Sequence, residues 1–233
     1  MPIHAVPKPH SDKLRFINNH SAGSFSLNSM IDKRCVGMRP DNVQDLAHNL
    51  LLFRREHGDR PVNLFKSDVA NAYRILPMHP LWQLKQVVTI NGTRRIDRCC
   101  CFGNCGSPDL FCTVMSLVLW IATRVRKISG LLAYMDDNFS FDASLRLLPY
   151  SGYPTSTVYL PEAQVRLLEL WDELGIPHAA PKQLFGEQLT ITGFYVDSAA
   201  MTITLPQQSC NELVQAICTF LADAPRRRRT LRL

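Results

Sequence analysis

The chain predicts an α+β fold, an antiparallel sheet backed by two helices, on three observations. Residues 107–127 and 162–174 place apolar side chains at helical spacing between recognisable start and stop signals. Residues 86–101, 131–142 and 189–205 read as strand pairs around turn residues. Acidic residues also stand within apolar strand patterns: Asp68 in Val62–Val69, and Asp136-Asp137 between Leu131-Leu132-Ala133 and the alternating run Asn138–Asp142. An ionised carboxylate loses several kcal/mol or more on desolvation, so these positions call for a bound cation or a solvent-lined cleft.

Composition sets the bounds. The 233 residues are 46% hydrophobic and 20% charged, enough for one or two packed units around a real core. Lysine and arginine number 26 against 20 acidic residues, a net +6 that favours a polyanionic partner without identifying one. The longest apolar region, Leu110–Ala122, lies between Asp109 and Arg124 and falls short of the ~20 residues that span a bilayer, so no membrane segment is expected. No secretory signal precedes the eight cysteines, which are expected as reduced thiols of an intracellular chain; Cys101-x3-Cys105 lacks the second pair of a structural zinc site.

Each element has a local reason. Lys13–Ile17 is a short strand in an otherwise irregular first thirty residues. A helix is predicted after Arg39-Pro40-Asp41, with Val43, Leu46, Ala47, Leu50 and Leu51 on one face and a stop at Gly58. Val62–Val69 alternates as a strand that delivers Asp68 at its far end. Asn91-Gly92, tolerant of positive φ, joins residues 86–90 and 95–101 as a hairpin. Ser107-Pro108-Asp109 starts a helix, with the Ser107 hydroxyl as cap, whose nearly all-round apolar surface predicts deep burial. Ala143–Tyr159, rich in Pro, Gly and Ser, reads as a long loop. The helix Glu162–Leu174 carries Val165, Leu168, Trp171 and Leu174 on one face before Gly175, and a last helix runs from Gln207 to Leu221.

Three carboxylates, Asp68 on one strand and Asp136-Asp137 on a hairpin, are the oxygen ligands that a two-metal phosphoryl-transfer site requires. Adjacent strand residues point to opposite faces, so a sharp turn must redirect one of Asp136 and Asp137. An isolated Asp-Asp pair is more often a solvated turn, an isolated Lys182 a surface lysine, and Gly193 a bulge glycine.

Motif order links these pieces. From about Lys13 to Leu221 the chain resembles the reverse transcriptase family. Phe65-Lys66-Ser67-Asp68-Val69-Ala70-Asn71-Ala72-Tyr73 is similar to its first palm motif, which implies that Asp68 and the Val69 carbonyl bind metal. Ala72 and Tyr73 then meet the incoming nucleotide, Tyr73 excluding a ribose 2′-hydroxyl. Cys101–Phe111 resembles the second motif, with Phe102 and Gly103 bordering the nascent base pair and Cys101 where proline is usual. Phe102 in place of glutamine resembles long-terminal-repeat and tyrosine-recombinase elements, hence a retrotransposon type. Tyr134-Met135-Asp136-Asp137 matches the third motif, with Tyr134 and Met135 beside the primer. Leu174-Gly175 with Lys182 resembles the fourth, its lysine a general acid near the leaving phosphates, and Gly193 falls in the primer-gripping hairpin. Lys13-Leu14-Arg15 resembles the fingers strand that holds the triphosphate, which implies that role for Lys13 and Arg15; taken alone they read as an exposed strand face.

The resemblance implies a polymerase palm with a ferredoxin-like βαββαβ sheet and a small fingers region. Residues 1–60 would supply fingers, residues 61–225 the palm with a fingers hairpin at about 81–101, and residues 226–233 a basic tail. Thumb, RNase H, and integrase or recombinase portions would lie elsewhere or be missing. The implied reaction is RNA-directed DNA synthesis on an RNA or DNA template, with a DNA primer, dNTPs and two Mg²⁺ ions, Mn²⁺ being the alternative. A catalytically silent remnant and an RNA-dependent RNA polymerase are the competing readings. The run Arg226–Arg229 fits either a nucleic-acid contact or a solvated tail.

Overall fold

The computed structural model describes residues 1–7, 14–154 and 157–222, with the backbone alone at Cys35. Strands β1 (Ile3–Pro7) and β2 (Leu14–Asn18) pair antiparallel, Ile3 opposite Asn18. Helix α1 (Val43–His57) opens on a capping box: the Asn42 side chain accepts the Gln44 amide at 2.7 Å, and Asp45 accepts the Asn42 amide at 2.8 Å. Strand β3 (Asn63–Asp68) leads through a 3₁₀ turn, Ala72–Ile75, and the single-turn helix α2 (Pro80–Gln83) to a hairpin of β4 (Val87–Ile90) and β5 (Thr93–Ile96). Asn91 and Gly92, at φ 50° and 75°, form the tight turn their sequence predicts.

Helix α3 (Ser107–Arg124) precedes the hairpin β6 (Leu132–Tyr134) and β7 (Asp137–Asp142). Strands β8 (Leu147–Tyr150) and β9 (Val158–Pro161) pair ahead of α4 (Glu162–Leu174), which stops at Gly175 with φ 69°. Strand β10 (Leu184–Gly186) is followed by a three-stranded sheet of β11 (Gln188–Ile191), β12 (Phe194–Asp197) and β13 (Thr202–Thr204), then by α5 (Gln207–Ala222).

The central sheet has the order β10-β3-β7-β6, every neighbouring pair antiparallel. Its interior strand β3 is covered on both faces. Phe65 joins a core with Phe111, Met115 and Val118 of α3 and Val165, Leu168 and Trp171 of α4. Leu64, one residue earlier and so on the opposite face, packs with Leu46 and Leu50 of α1, Phe139, Ile191 and Val196. Full burial of each such side chain contributes about 1.5–3 kcal/mol, so these two cores hold the sheet in place.

Several expectations are corrected. The long loop expected at Ala143–Tyr159 contains β8, which pairs with β9; its partner comes after a turn, so alternation within either short segment is too brief to read. β1 was likewise not expected, because its partner β2 supplies the order. The pair expected at 189–205 is three strands, since Thr192 and Gly193 both take positive φ and split the first. Helix α3 buries only Ser107, Phe111, Cys112, Met115, Val118 and Ala122; Leu110, Leu117 and Trp120 are exposed, because sheet and α4 cover one side of it. Its N-cap is Gly106, so the Ser107 hydroxyl does not cap. Leu51 and Leu174, placed on buried faces by spacing, are exposed.

Gly103 joins the N-terminal pair to the rest of the fold. A Cβ at this position would lie 1.9 Å from the Asn18 carbonyl oxygen, and its φ is +107°, so only glycine lets β2 approach. Phe102 accepts the Asn18 amide at 3.0 Å and Asn28 donates to the Gly103 carbonyl at 2.8 Å. Gly103→Ala is therefore expected to cost at least about 2 kcal/mol in urea unfolding. Gly92→Ala, in a turn with open space at φ 75°, is the control and should cost only about 1 kcal/mol. Equal losses would remove the close-approach explanation.

Candidate active site

The two cores fix a register that sets Asp68, the last residue of β3, directly opposite Asp137, the first of β7. Tyr134 pairs with Asp137, leaving Met135 and Asp136 as a two-residue turn. The turn redirects one aspartate of the pair, as the strand geometry demanded. Met135 takes φ 55° at a position suited to glycine, a strain of order 1–3 kcal/mol. The turn is held on two sides: the Asp136 carbonyl accepts the Val69 amide at 2.9 Å, and the Cys112 thiol contacts the Met135 sulfur at 3.6 Å.

Two ammonium groups face three carboxylates. Lys66, on β3 two residues before Asp68 and so on the same face, reaches Asp137 at 3.3 Å. Lys182 reaches Asp68 at 3.0 Å from the 3₁₀ turn Ala180–Lys182, which leads into β10, where Leu184 pairs with Lys66. Burial, then the charges of Asp68 and Asp137, raises the Asp136 carboxyl above the ordinary carboxylate range. Asp137 is also raised by burial, with Lys66 opposing the shift. The hydrogen bond to Asp68 raises Lys182 and keeps it protonated.

Tyr73 sits beside this group on the 3₁₀ turn, after Asn71 and buried Ala72 at φ 66° and 41°. Its ring lies 5.0 Å from Phe102 and 5.6 Å from Phe111, and burial followed by the Asp136 charge raises its hydroxyl. The Arg15 guanidinium stands 4.9 Å over the Phe102 ring, and the Tyr73 ring meets Phe102 at a tilt of 49°, so the three side chains form one contiguous row. Tyr134 is exposed. Gly193 is not brought to the carboxylates: it lies in the β11–β12 turn, in the separate three-stranded sheet. Lys13 and Arg226–Arg229 lie outside the described residues.

Among the described residues, no group of three or more His, Cys, Asp or Glu is arranged to hold a metal ion, and no helix is long and apolar enough to cross a membrane. Sequence reasoning missed Lys66, although period-two spacing from Asp68 marks it. It also missed Asp97, which accepts Arg74 at 2.6 Å and Asn18 at 2.8 Å and so links β2 to the Tyr73 turn.

No family model and no curated protein matches the chain. Solved structures do. A foamy viral protease-reverse transcriptase dRH in complex with ds DNA superposes with a TM-score of 0.66 at 18% identity, over 98% of this chain and 33% of that one. The chain has a reverse-transcriptase-like fold. A foamy viral protease-reverse transcriptase in complex with RNA/DNA hybrid matches with a TM-score of 0.63 at 17% identity, over 92% of this chain and 24% of that one. The native Prototype Foamy Virus protease-reverse transcriptase gives 0.53 at 16%, over 96% and 30%. This chain thus spans between about a quarter and a third of those chains.

The raised Asp136 carboxyl carries a signed consequence. Its folded form binds a proton more tightly than the unfolded chain, so stability falls as pH rises from the unfolded carboxylate range through the raised folded value. Above that window the buried charge is a standing loss that an amide removes. Asp136→Asn is expected to raise Tm at pH 7, without divalent cations, by about 2–4 °C. The gain should vanish in acid, where Asp136 is protonated; an equal gain at both pH values would assign it to something other than charge.

Proposed function

We propose that the chain is the fingers–palm part of an RNA-directed DNA polymerase of retrotransposon type, extending a primer 3′-hydroxyl with deoxynucleotides. The observation that carries this reading is Asp68 opposite Asp137, with Asp136 in the adjoining turn, inside a reverse-transcriptase-like fold. The order β10-β3-β7-β6, with α3 leading into β6 and α4 lying between β7 and β10, fits a ferredoxin-like βαββαβ palm. The complexes of the structural neighbours with ds DNA and with RNA/DNA hybrid support a template–primer duplex as the partner.

Asp68, Asp136, Asp137 and the Val69 carbonyl are not gathered as a ready ligand set, but they offer oxygen donors only, the chemistry that suits Mg²⁺ or Mn²⁺, and an ion drawing them together would share Asp137 and Asp68 with Lys66 and Lys182. Bound there, two ions would supply Lewis-acid activation of the primer hydroxyl and neutralisation of pyrophosphate. Lys182, kept protonated by Asp68, would hold the proton for the leaving group. Tyr73, wedged against Phe102 and Phe111, would close on the sugar C2′, with Ala72 behind it. Phe102 and Gly103 would border the base pair, and Arg15, with Lys13, the triphosphate. Tyr134 and Met135 would meet the primer terminus, and Gly193 the primer strand.

Primer extension on poly(rA)/oligo(dT) with Mg²⁺ or Mn²⁺ tests the reading. Asp136→Asn should lower incorporation at least about a hundredfold. Tyr73→Val should raise rNTP use relative to dNTP about tenfold or more. A folded protein that binds the duplex and extends nothing would overturn the reading, and preference for rNTPs in the unaltered chain would move it to RNA synthesis.

A further inference from the structure

Away from the carboxylates, a second cluster of polar groups closes around His178, whose side chain is only 5% exposed. Its Nε2 lies 3.1 Å from Asp172 Oδ1, and its Nδ1 lies 2.8 Å from the Tyr153 hydroxyl. A carboxylate only accepts, so Nε2 donates to Asp172, while Nδ1 is bonded to the Tyr153 hydroxyl. Tyr150 donates to the other Asp172 oxygen at 2.6 Å, and the Trp171 ring packs 5.8 Å from the imidazole. Both ring nitrogens are therefore used. The cluster also requires Gly152: a Cβ there would lie 2.1 Å from the Tyr150 hydroxyl oxygen and 3.0 Å from Asp172 Oδ2.

The segment that carries this ring meets the site at two places, by backbone at Val69–Ala70 and by side chain at Asp68. His178 forms an antiparallel bridge with Val69, and the Pro177 carbonyl accepts the Ala70 amide at 2.7 Å. Val69 in turn donates to the Asp136 carbonyl. Four residues after His178, Lys182 bonds Asp68. The residues following Asp68, the Met135–Asp136 turn and the approach of Lys182 thus share one attachment.

We propose that His178 is a positioning residue: its hydrogen-bonded ring clamps the Pro177–Lys182 segment against Val69 and Ala70, and so fixes Asp68 and Lys182 in their working arrangement. The effect on rate rests on the polymerase reading. The clamp itself does not.

The test has two arms. Amide hydrogen exchange is measured by NMR in His178→Phe, which keeps a ring but loses its hydrogen bonds to Asp172, Tyr153 and Tyr150, and in the milder Tyr153→Phe and Gly152→Ala. Ala70 should exchange at least about tenfold faster, with Leu64 on the same strand unchanged within about twofold. An unchanged Ala70 amide, or Ala70 and Leu64 accelerating together, overturns the clamp. In single-nucleotide incorporation at saturating dNTP, the same variants should lose about tenfold or more in kcat, with primer–template Kd within about twofold. His178→Phe should add little in a Lys182→Ala background, because both act through one arrangement. Unchanged kcat, or full multiplication of the two losses, overturns the positioning role. If the unaltered chain extends no primer, the polymerase reading and the rate effect fall together, while the exchange arm still decides the clamp.

Discussion

The antiparallel pairing of β3 with β7 is the constraint on which everything else depends. A slip of one residue would send Phe65 into the core of α1 and Leu64 into that of α3 and α4, exchanging every inward side chain of the strand. Two dissimilar cores on opposite faces therefore lock one register. That register is also what sets Asp68 against Asp137. Packing thus enforces a juxtaposition that electrostatics opposes, and Lys66 and Lys182 relieve part of the opposition. Lys66 and Asp137 are both largely buried, at 19% and 23% side-chain exposure, so their pairing is weakly screened. Lys182, 60% exposed, contributes little to stability and more to the local charge.

Backbone strain follows the same logic. Asn71, Ala72 and Met135 all take positive φ without being glycine, and all lie within a few residues of Asp68 or Asp136. Such residues persist only where surrounding structure over-determines them. Here the surroundings are specific: the Val69 amide on Asp136, the Ala70 amide on Pro177, and the Cys112 thiol on Met135. Tyr73 is presented by the strained turn Asn71-Ala72, and Asp136 by the strained turn at Met135. The two features therefore depend on one short strap, Val69-Ala70.

What was legible in the sequence was what is local or periodic. The helices at 43–57, 107–124 and 162–174, the Asn91-Gly92 turn and the aspartate hairpin each carry their own signals. The missing strands, β1, β8, β9 and β10, are short and ordered by partners, a property that no window of sequence contains. The exposed side of α3 was illegible for a related reason: composition reports that Leu117 and Trp120 are apolar, not whether anything covers them. Within the site, Asp68 and Lys182 are 114 residues apart, and motif order rather than chemistry brought them together beforehand. Lys66 shows the reverse case: period-two spacing marked it, yet a lysine in a strand looks ordinary until its partner is known.

The departures from the resembled motifs fall where backbone shape matters more than the side chain. Cys101 stands where proline is usual, and a proline would stiffen the turn into Phe102 by fixing φ. Here stiffness has another source. Cys101 is buried with its sulfur 3.1 Å from His20 Nε2, the β2 amide of Asn18 holds the Phe102 carbonyl, and Gly103 lets that strand come close. Burial raises the Cys101 thiol to about 11 and lowers the His20 imidazole, so both remain neutral and the contact is a packed hydrogen bond rather than a reactive pair. A turn fixed by its neighbours in this way depends on β1 and β2, residues far from it in sequence. The N-terminal strands are therefore part of what presents Phe102 to Tyr73, and the row of Arg15, Phe102 and Tyr73 is the visible trace of that dependence.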